Sequence, residues 1–186
     1  RIVLGVSGGI AAYKAAYLAR RLIERGCEVR AVMTEAGTDF LGPATLAGLT
    51  GHPVLTALRT DPNSVSPHTE LARWADLIVV APATAATLAR MAHGIAQDAI
   101  GATILASRVP VLVAPAMHTE MWEHPATRRT MDLLSSDGVT VVGPSVGPLA
   151  GGDEGTGRMV EPEEIVEAIE RLLTGPLTGV SVLVTA

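Results

Sequence analysis

Short β-rich apolar runs recur along this chain with helix-period segments between them, and no other feature limits its fold as strongly. The runs are Ile2 to Val6, Val29 to Met33, Leu77 to Ala81, Val111 to Ala114 and Val139 to Val142. Each is nearly continuous rather than alternating, as expected of strands buried on both faces of a parallel sheet. Helix-like segments lie between them at about Ile10 to Arg25, Glu70 to Ala75, Thr84 to Ala92, Asp98 to Ser107 and Glu120 to Ser136. This succession predicts a doubly wound α/β fold, Rossmann-like and flavodoxin-like, with a mainly parallel sheet, helices on both faces and right-handed crossovers.

Local punctuation agrees. Gly26 and Asp137-Gly138 stand where helices should end. Pro162 opens a helix with Glu163 and Glu164 in its first turn, and Ile165, Val166, Ile169, Leu172 and Leu173 form its apolar stripe before Gly175-Pro176. Gly143 to Met159 holds six glycines and two prolines without periodicity, so it reads as a long functional flap or a disordered loop. Residues 177–186 read as a linker and a new apolar strand, either an added edge strand or, preferably, the start of a second domain. The domain reading is therefore residues 1–174 as one unit, with 175–186 leading into another.

Composition narrows the partners. The chain has 186 residues, 48% of them hydrophobic and 3% aromatic, which suits one globular core of Ala, Val, Leu and Ile. A net charge of -5 leaves no basic footprint and the few aromatics leave little to stack on bases, which argues against nucleic acid. A lone cysteine, Cys27, excludes an internal disulfide framework and any multi-thiolate metal site, and a reducing cytosol is the natural compartment. No apolar stretch is long enough to predict a membrane span.

The candidate site residues cluster at the carboxyl ends of the predicted strands, where an open α/β sheet binds ligands. Gly5-Val6-Ser7-Gly8-Gly9-Ile10 joins a strand to a helix and reads as either a tight turn or a cradle for a mononucleotide phosphate. It matches neither the dinucleotide fingerprint nor the ATPase P-loop. Thr34 and Thr84 are each explained by helix capping alone, yet they share an edge with Ser7. His68 is a solvated loop histidine or a general base, the role that imidazole most often fills at neutral pH. His52 and His93 read as structural, and His124 as a cap or rim residue. Ala116-Met117-His118-Thr119-Glu120-Met121-Trp122 assembles thioethers, an imidazole, a carboxylate and an indole, which packing alone rarely does. His118-Thr119-Glu120 matches half of a zinc deaminase signature, but the paired cysteines it requires are missing, so no metal is expected.

These pieces, taken in order, resemble the homo-oligomeric flavin-containing cysteine decarboxylases, and within them the phosphopantothenoylcysteine decarboxylase branch. The similarity covers about residues 1 to 174. It rests on Gly5 to Lys14, on His68 with Glu70-Leu71-Ala72, on Pro82 to Thr87 with Gly94 and Asp98, on Pro115 to Trp122, and on Gly155-Thr156-Gly157-Arg158-Met159. Val182 to Ala186 is similar to the opening strand of the ligase domain fused to that branch.

The resemblance implies FMN at the sheet edge, its phosphate near Ser7, Gly8, Gly9 and Ile10, with further contacts from Thr34, Ala83, Thr84 and Ser107. It implies His68 as catalytic base and places Ala116, Met117, His118, Met121 and Gly151 at the substrate. Also implied are a cytoplasmic homotrimer able to build a dodecamer, with active sites between subunits, and the substrate 4′-phosphopantothenoylcysteine. A cysteine carboxylate has no electron sink, so oxidation of the thiol-bearing carbon to a thioaldehyde must precede loss of carbon dioxide; the resulting enethiolate is then reduced to 4′-phosphopantetheine. Two other readings remain: a peptide decarboxylase that stops at the enethiol of a C-terminal cysteine, and a flavin-binding regulatory module without catalysis, against which His68 argues.

Departures from the family pattern occur at two positions. The family motif P-x-M-N-x-x-M-W carries an asparagine for the substrate carboxylate where this chain has His118. The branch commonly carries a flap cysteine that assists the final reduction, whereas Leu149-Ala150-Gly151-Gly152-Asp153 offers Gly151.

Overall fold

A computed structural model describes residues 1–58 and 65–174. Strand β1 (Ile2–Val6) leads through a 3-10 turn (Ile10–Ala12) and α1 (Tyr13–Glu24) to β2 (Val29–Met33). Short helices α2 (Glu35–Phe40) and α3 (Pro43–Thr50) follow, and α4 (Pro67–Trp74) precedes β3 (Leu77–Ala83). Next come α5 (Ala85–Ala92), α6 (Ala99–Leu105), β4 (Val111–Pro115), α7 (Thr119–Glu123) and α8 (Pro125–Ser136). After β5 (Thr140–Val141), β6 (Ser145–Pro148) and β7 (Glu154–Arg158) form a separate antiparallel pair, and α9 (Pro162–Thr174) follows.

The main sheet is parallel throughout, in the order β2-β1-β3-β4-β5. Winding runs outward from β1 to β2, then back across to β3. The reversal leaves a crevice outside the carboxyl ends of β1 and β3, the place where such sheets bind ligands.

Alternate residues of β1 serve opposite layers, which explains its unbroken apolar run. Ile2, Leu4 and Val6 pack with Leu18 and Leu22 of α1, Leu46 of α3, and Ile165 and Ile169 of α9. Val3 packs instead with Leu88 of α5, Ile100 of α6 and Leu134 of α8. Each fully buried Leu or Ile contributes about 1.5–3 kcal/mol by leaving water, so double-sided burial dominates the stability of the sheet. The α9 stripe behaves as its periodicity predicts through Leu172, while Leu173, in the last turn, is 50% exposed.

Several boundaries differ from the sequence reading. The expected irregular flap over 143–159 is a hairpin whose glycines dilute the period-two pattern that would have marked its strands. The expected helix from Glu120 to Ser136 is two helices. His124 ends α7 and caps α8, its Nδ1 accepting from the Ala126 N–H at 3.1 Å, and Pro125 cannot supply the N–H that would continue α7. Helix α4 begins at Pro67, which puts His68 in a helical first turn rather than a loop. Gly26 and Gly138 do adopt left-handed φ values of 81° and 83°, as residues just past helix ends should. The linker and strand expected over 175–186 lie outside the described residues.

Candidate active site

The floor of the crevice is set by the end of β1. Ser7 is fully buried, and its Oγ donates to the Pro82 carbonyl at 2.7 Å while accepting from the Thr84 N–H at 3.0 Å. That hydroxyl ties the loop after β1 to the turn after β3. Gly8 follows, and a Cβ there would lie 2.6 Å from the Cβ of Ala36 in α2, so only glycine fits. At Gly9 the 3-10 turn starts with no side-chain cap, which leaves its N–H groups and positive end facing the crevice. Thr34 closes the other side: its buried Oγ1 accepts from the Gly37 N–H at 3.0 Å and caps α2.

The opposite wall grows from β4. The Ala116 N–H donates to the Ala83 carbonyl at 3.1 Å, and the Met117 N–H to the Gly157 carbonyl at 3.0 Å, so the segment runs between β3 and β7. His118 occupies the N-cap position of α7 with no side-chain cap bond. Its carbonyl accepts from the Trp122 N–H at 3.0 Å, and the buried indole lies under the Arg128 guanidinium at 5.1 Å. Trp122 thus anchors the helix, while Met121, 46% exposed, faces the cavity mouth.

The β6–β7 hairpin covers this wall. A Cβ at Gly155 would stand 2.1 Å from Thr119 Oγ1, and one at Gly157 would stand 2.1 Å from the Met117 carbonyl oxygen. Close approach therefore explains both glycines. At the hairpin base, buried Lys14 donates through Nζ to the Met159 carbonyl at 2.8 Å and to Glu161 Oε1 at 2.9 Å. The same carboxylate oxygen accepts from Arg158.

Together these elements enclose a cavity of about 670 Å³. Its lining includes Gly8, Gly9, Ile10 and Thr84 on the floor and Ala116, Met117, His118 and Met121 on the wall. Ser7, Thr34 and Ala83 stand behind that lining, holding the loops through the bonds above. Gly151 lies at the hairpin tip, where a Cβ would be 3.3 Å from His118 Cε1. Ser107, after α6, accepts the Val109 N–H at 3.1 Å and does not line the cavity of a single chain. Nor does His68, whose Nε2 lies 3.4 Å from Ser66 Oγ and whose buried Nδ1 has no partner among the described residues.

His52 lies 3.6 Å from Glu28, and His93 ends α5. Among the described residues no cluster of His, Cys, Asp and Glu suits a metal, and no helix is long and apolar enough to cross a membrane.

The cavity also takes in residues to which the sequence reading gave no role: Tyr13, Lys14, Phe40, Leu149 and Arg158. Lys14 had a visible signal, being the one lysine and lying just after the glycine loop. Phe40 had none, because α2 has too few residues to show a helical period.

A parallel sheet whose switch point carries a glycine loop, an uncapped helical start and an open cavity defines a cofactor-binding α/β protein. The chain belongs to the Flavoprotein family, whose model matches residues 1–174. It is 48% identical over 192 residues to the coenzyme A biosynthesis bifunctional protein CoaBC of Mycolicibacterium smegmatis, covering all of this chain and 46% of that one. The protein of the same name from Vibrio vulnificus is 47% identical over 189 residues, again with this whole chain and 47% of the relative covered. The chain thus spans about half the length of the curated relatives it matches.

Among solved structures, a mutant PPC decarboxylase complexed with pantothenoylaminoethenethiol superposes with a TM-score of 0.84 and 34% identity, over 94% of this chain and 98% of that one. The FMN-dependent cysteine decarboxylase SpaF superposes with a TM-score of 0.79 and 34% identity, over 94% and 95%. The resemblance read from the motifs and the doubly wound fold are both borne out.

Proposed function

We propose that this chain decarboxylates 4′-phosphopantothenoylcysteine with FMN, as one part of a bifunctional coenzyme A biosynthesis protein that also carries a ligase domain. The observation that carries the reading is the match of the whole chain to CoaBC proteins at 47–48% identity. The cavity fits the cofactor: cofactor sites run about 300–1,000 Å³, and the uncapped turn at Gly9 suits a phosphate.

Bound FMN supplies a hydride acceptor for the thiol-bearing carbon and a donor for the later reduction. Around it, Gly8, Gly9 and Ile10 would hold the phosphate through backbone N–H groups, with Ser7, Thr34, Ala83 and Thr84 shaping the loops; Ser107, off the cavity of one chain, would reach it only from a second copy. Met117, Met121 and Ala116 give the substrate an apolar wall. His118 donates a hydrogen bond to the carboxylate that is lost. His68 accepts the thiol proton, which an ordinary thiol pKa near about 8.5 would otherwise retain at neutral pH. Oxidation puts a thioaldehyde β to the carboxylate, carbon dioxide leaves with its bonding pair on the substrate, and the enethiolate takes up a proton and is reduced.

His68 lies off the cavity of one chain, which supports a site completed by a second copy. We therefore read the working unit as a homotrimer, with a dodecamer as its higher assembly, in the cytoplasm.

A second reading has one specific support. Gly151 provides no thiol at the hairpin tip, and half-buried Cys27 precedes β2 at the amino end of the sheet. On that reading the chain oxidatively decarboxylates a peptide's C-terminal cysteine and releases the enethiol. Product mass decides: loss of carbon dioxide alone from 4′-phosphopantothenoylcysteine supports the first reading, and loss of a further hydrogen pair supports the second chemistry. Purified protein that is colourless and binds no FMN would sink both.

A further inference from the structure

Gly151 is not required by its backbone. Its φ lies outside the left-handed range, whereas neighbouring Gly152 has φ 89°. The constraint is crowding, because a Cβ at 151 would lie 2.8 Å from Asp153 Oδ1 and 3.3 Å from His118 Cε1. Asp153 is exposed and its carboxylate can turn to water. The His118 side chain is exposed too and makes no cap bond, so the constraint on the ring comes from its main chain alone. Its backbone is pinned on both sides, by the Met117 N–H on the Gly157 carbonyl at 3.0 Å and by the Trp122 N–H on the His118 carbonyl at 3.0 Å. The tip is pinned too, through the Leu149 N–H on the Asp153 carbonyl at 2.8 Å and the Gly152 N–H on the Leu149 carbonyl at 3.1 Å.

We propose that Gly151 is a positioning residue for His118: the bare hairpin tip leaves the space that the imidazole needs at the cavity mouth, so ring and hairpin close as a matched pair. The substrate half rests on the function proposed above; the packing half does not. Any side chain at 151 then acts through the ring, either tilting it away from the carboxylate or lifting the hairpin. His118 takes the room that a tip side chain would otherwise fill, so the two positions set the width of the mouth jointly.

The test is a double-mutant cycle of Gly151→Ala and His118→Asn in flavin-loaded protein, with Asp153→Ser as a third background. Hydrogen exchange of the amides of residues 149–153 reads hairpin closure without substrate, and steady-state kinetics with 4′-phosphopantothenoylcysteine separate KM from kcat. Overpacking by one methyl should speed that exchange about fivefold and raise KM about fivefold while kcat changes less than about twofold. In the His118→Asn background the same substitution should alter both by less than about twofold, and in the Asp153→Ser background it should keep its full effect. Equal effects with and without the imidazole overturn the pairing, as does relief by Asp153→Ser alone. Faster exchange with an unchanged KM overturns the positioning role. If the wild-type chain does not turn over this substrate, the functional reading fails, and the exchange measurements still decide whether the two residues are paired.

Discussion

The hydroxyl of Ser7 joins Thr84 to the end of β1, accepting the Thr84 N–H at 3.0 Å while giving its own hydrogen to the Pro82 carbonyl at 2.7 Å. Both sides of the crevice floor therefore depend on one buried side chain. Ser7→Ala would leave the half-buried Thr84 N–H without its partner, while the Pro82 carbonyl keeps the backbone N–H of residue 7 at 3.3 Å, at a cost of about 1–3 kcal/mol. Urea unfolding should show that loss, and FMN should bind more weakly because the Gly8–Gly9 loop and Thr84 line the same cavity. A variant within about 0.5 kcal/mol of wild type would contradict the assigned role.

The hairpin packs too closely on the cavity wall to accept added volume at its glycines. Gly157→Ala sets a methyl 2.1 Å from the Met117 carbonyl oxygen, which is backbone and cannot rotate aside. Gly155→Ala meets Thr119 Oγ1 at the same distance, but a side chain can yield. The Gly157 variant should lose more stability, within the roughly 1–3 kcal/mol range of overpacking, and its hairpin should be cleaved faster in limited proteolysis. Equal effects at the two positions would show that the Thr119 side chain has no room to move.

Much of the sheet was legible because β1, β2, β3 and β4 are buried on both faces and so read as unbroken apolar runs. The same signal understated β3, whose last residues Pro82 and Ala83 look like a turn. The hairpin stayed hidden for a physical reason: Gly155 and Gly157 are set by approach to Thr119 and Met117, contacts that no local pattern records. At the site, the glycine loop and the Ala116 to Met121 wall follow from their places at strand ends. Lys14 and Phe40 line the cavity only because α1 and α2 turn back over β1, which is tertiary information. His68 was found by chemistry and resemblance, and the cavity of one chain does not include it.

Lys14 and Glu161 are unequally exposed, with side chains 5% and 48% accessible. Their substitutions should therefore differ. Lys14→Met leaves a carboxylate that water and Arg158 still serve, while Glu161→Gln leaves a buried ammonium with neutral acceptors only, the new amide oxygen and the Met159 carbonyl. Stranding a buried charge is the costlier change, so Glu161→Gln should be the less stable of the two by about 1 kcal/mol or more in denaturant titrations. The reverse order would mean that the cavity hydrates Lys14 freely.

Acid titration isolates a contact at the start of α9. Glu163 is held below the ordinary glutamate range, first by its own backbone N–H at the start of α9 and then by the Arg21 guanidinium at 3.1 Å. Because the folded-state pKa is depressed, the stabilisation is present above the unfolded value of about 4.3 and disappears as pH falls through the lower folded value. Glu163→Gln should thus be less stable than wild type at neutral pH, and the two should converge as pH falls below the lowered folded-state value and the carboxyl becomes neutral. The side chain is 60% exposed, so added salt should shrink the neutral-pH difference. Urea midpoints measured across that pH range check the sign: a gap that widens toward acid would mean that the native fold favours the protonated side chain, contrary to the Arg21 contact.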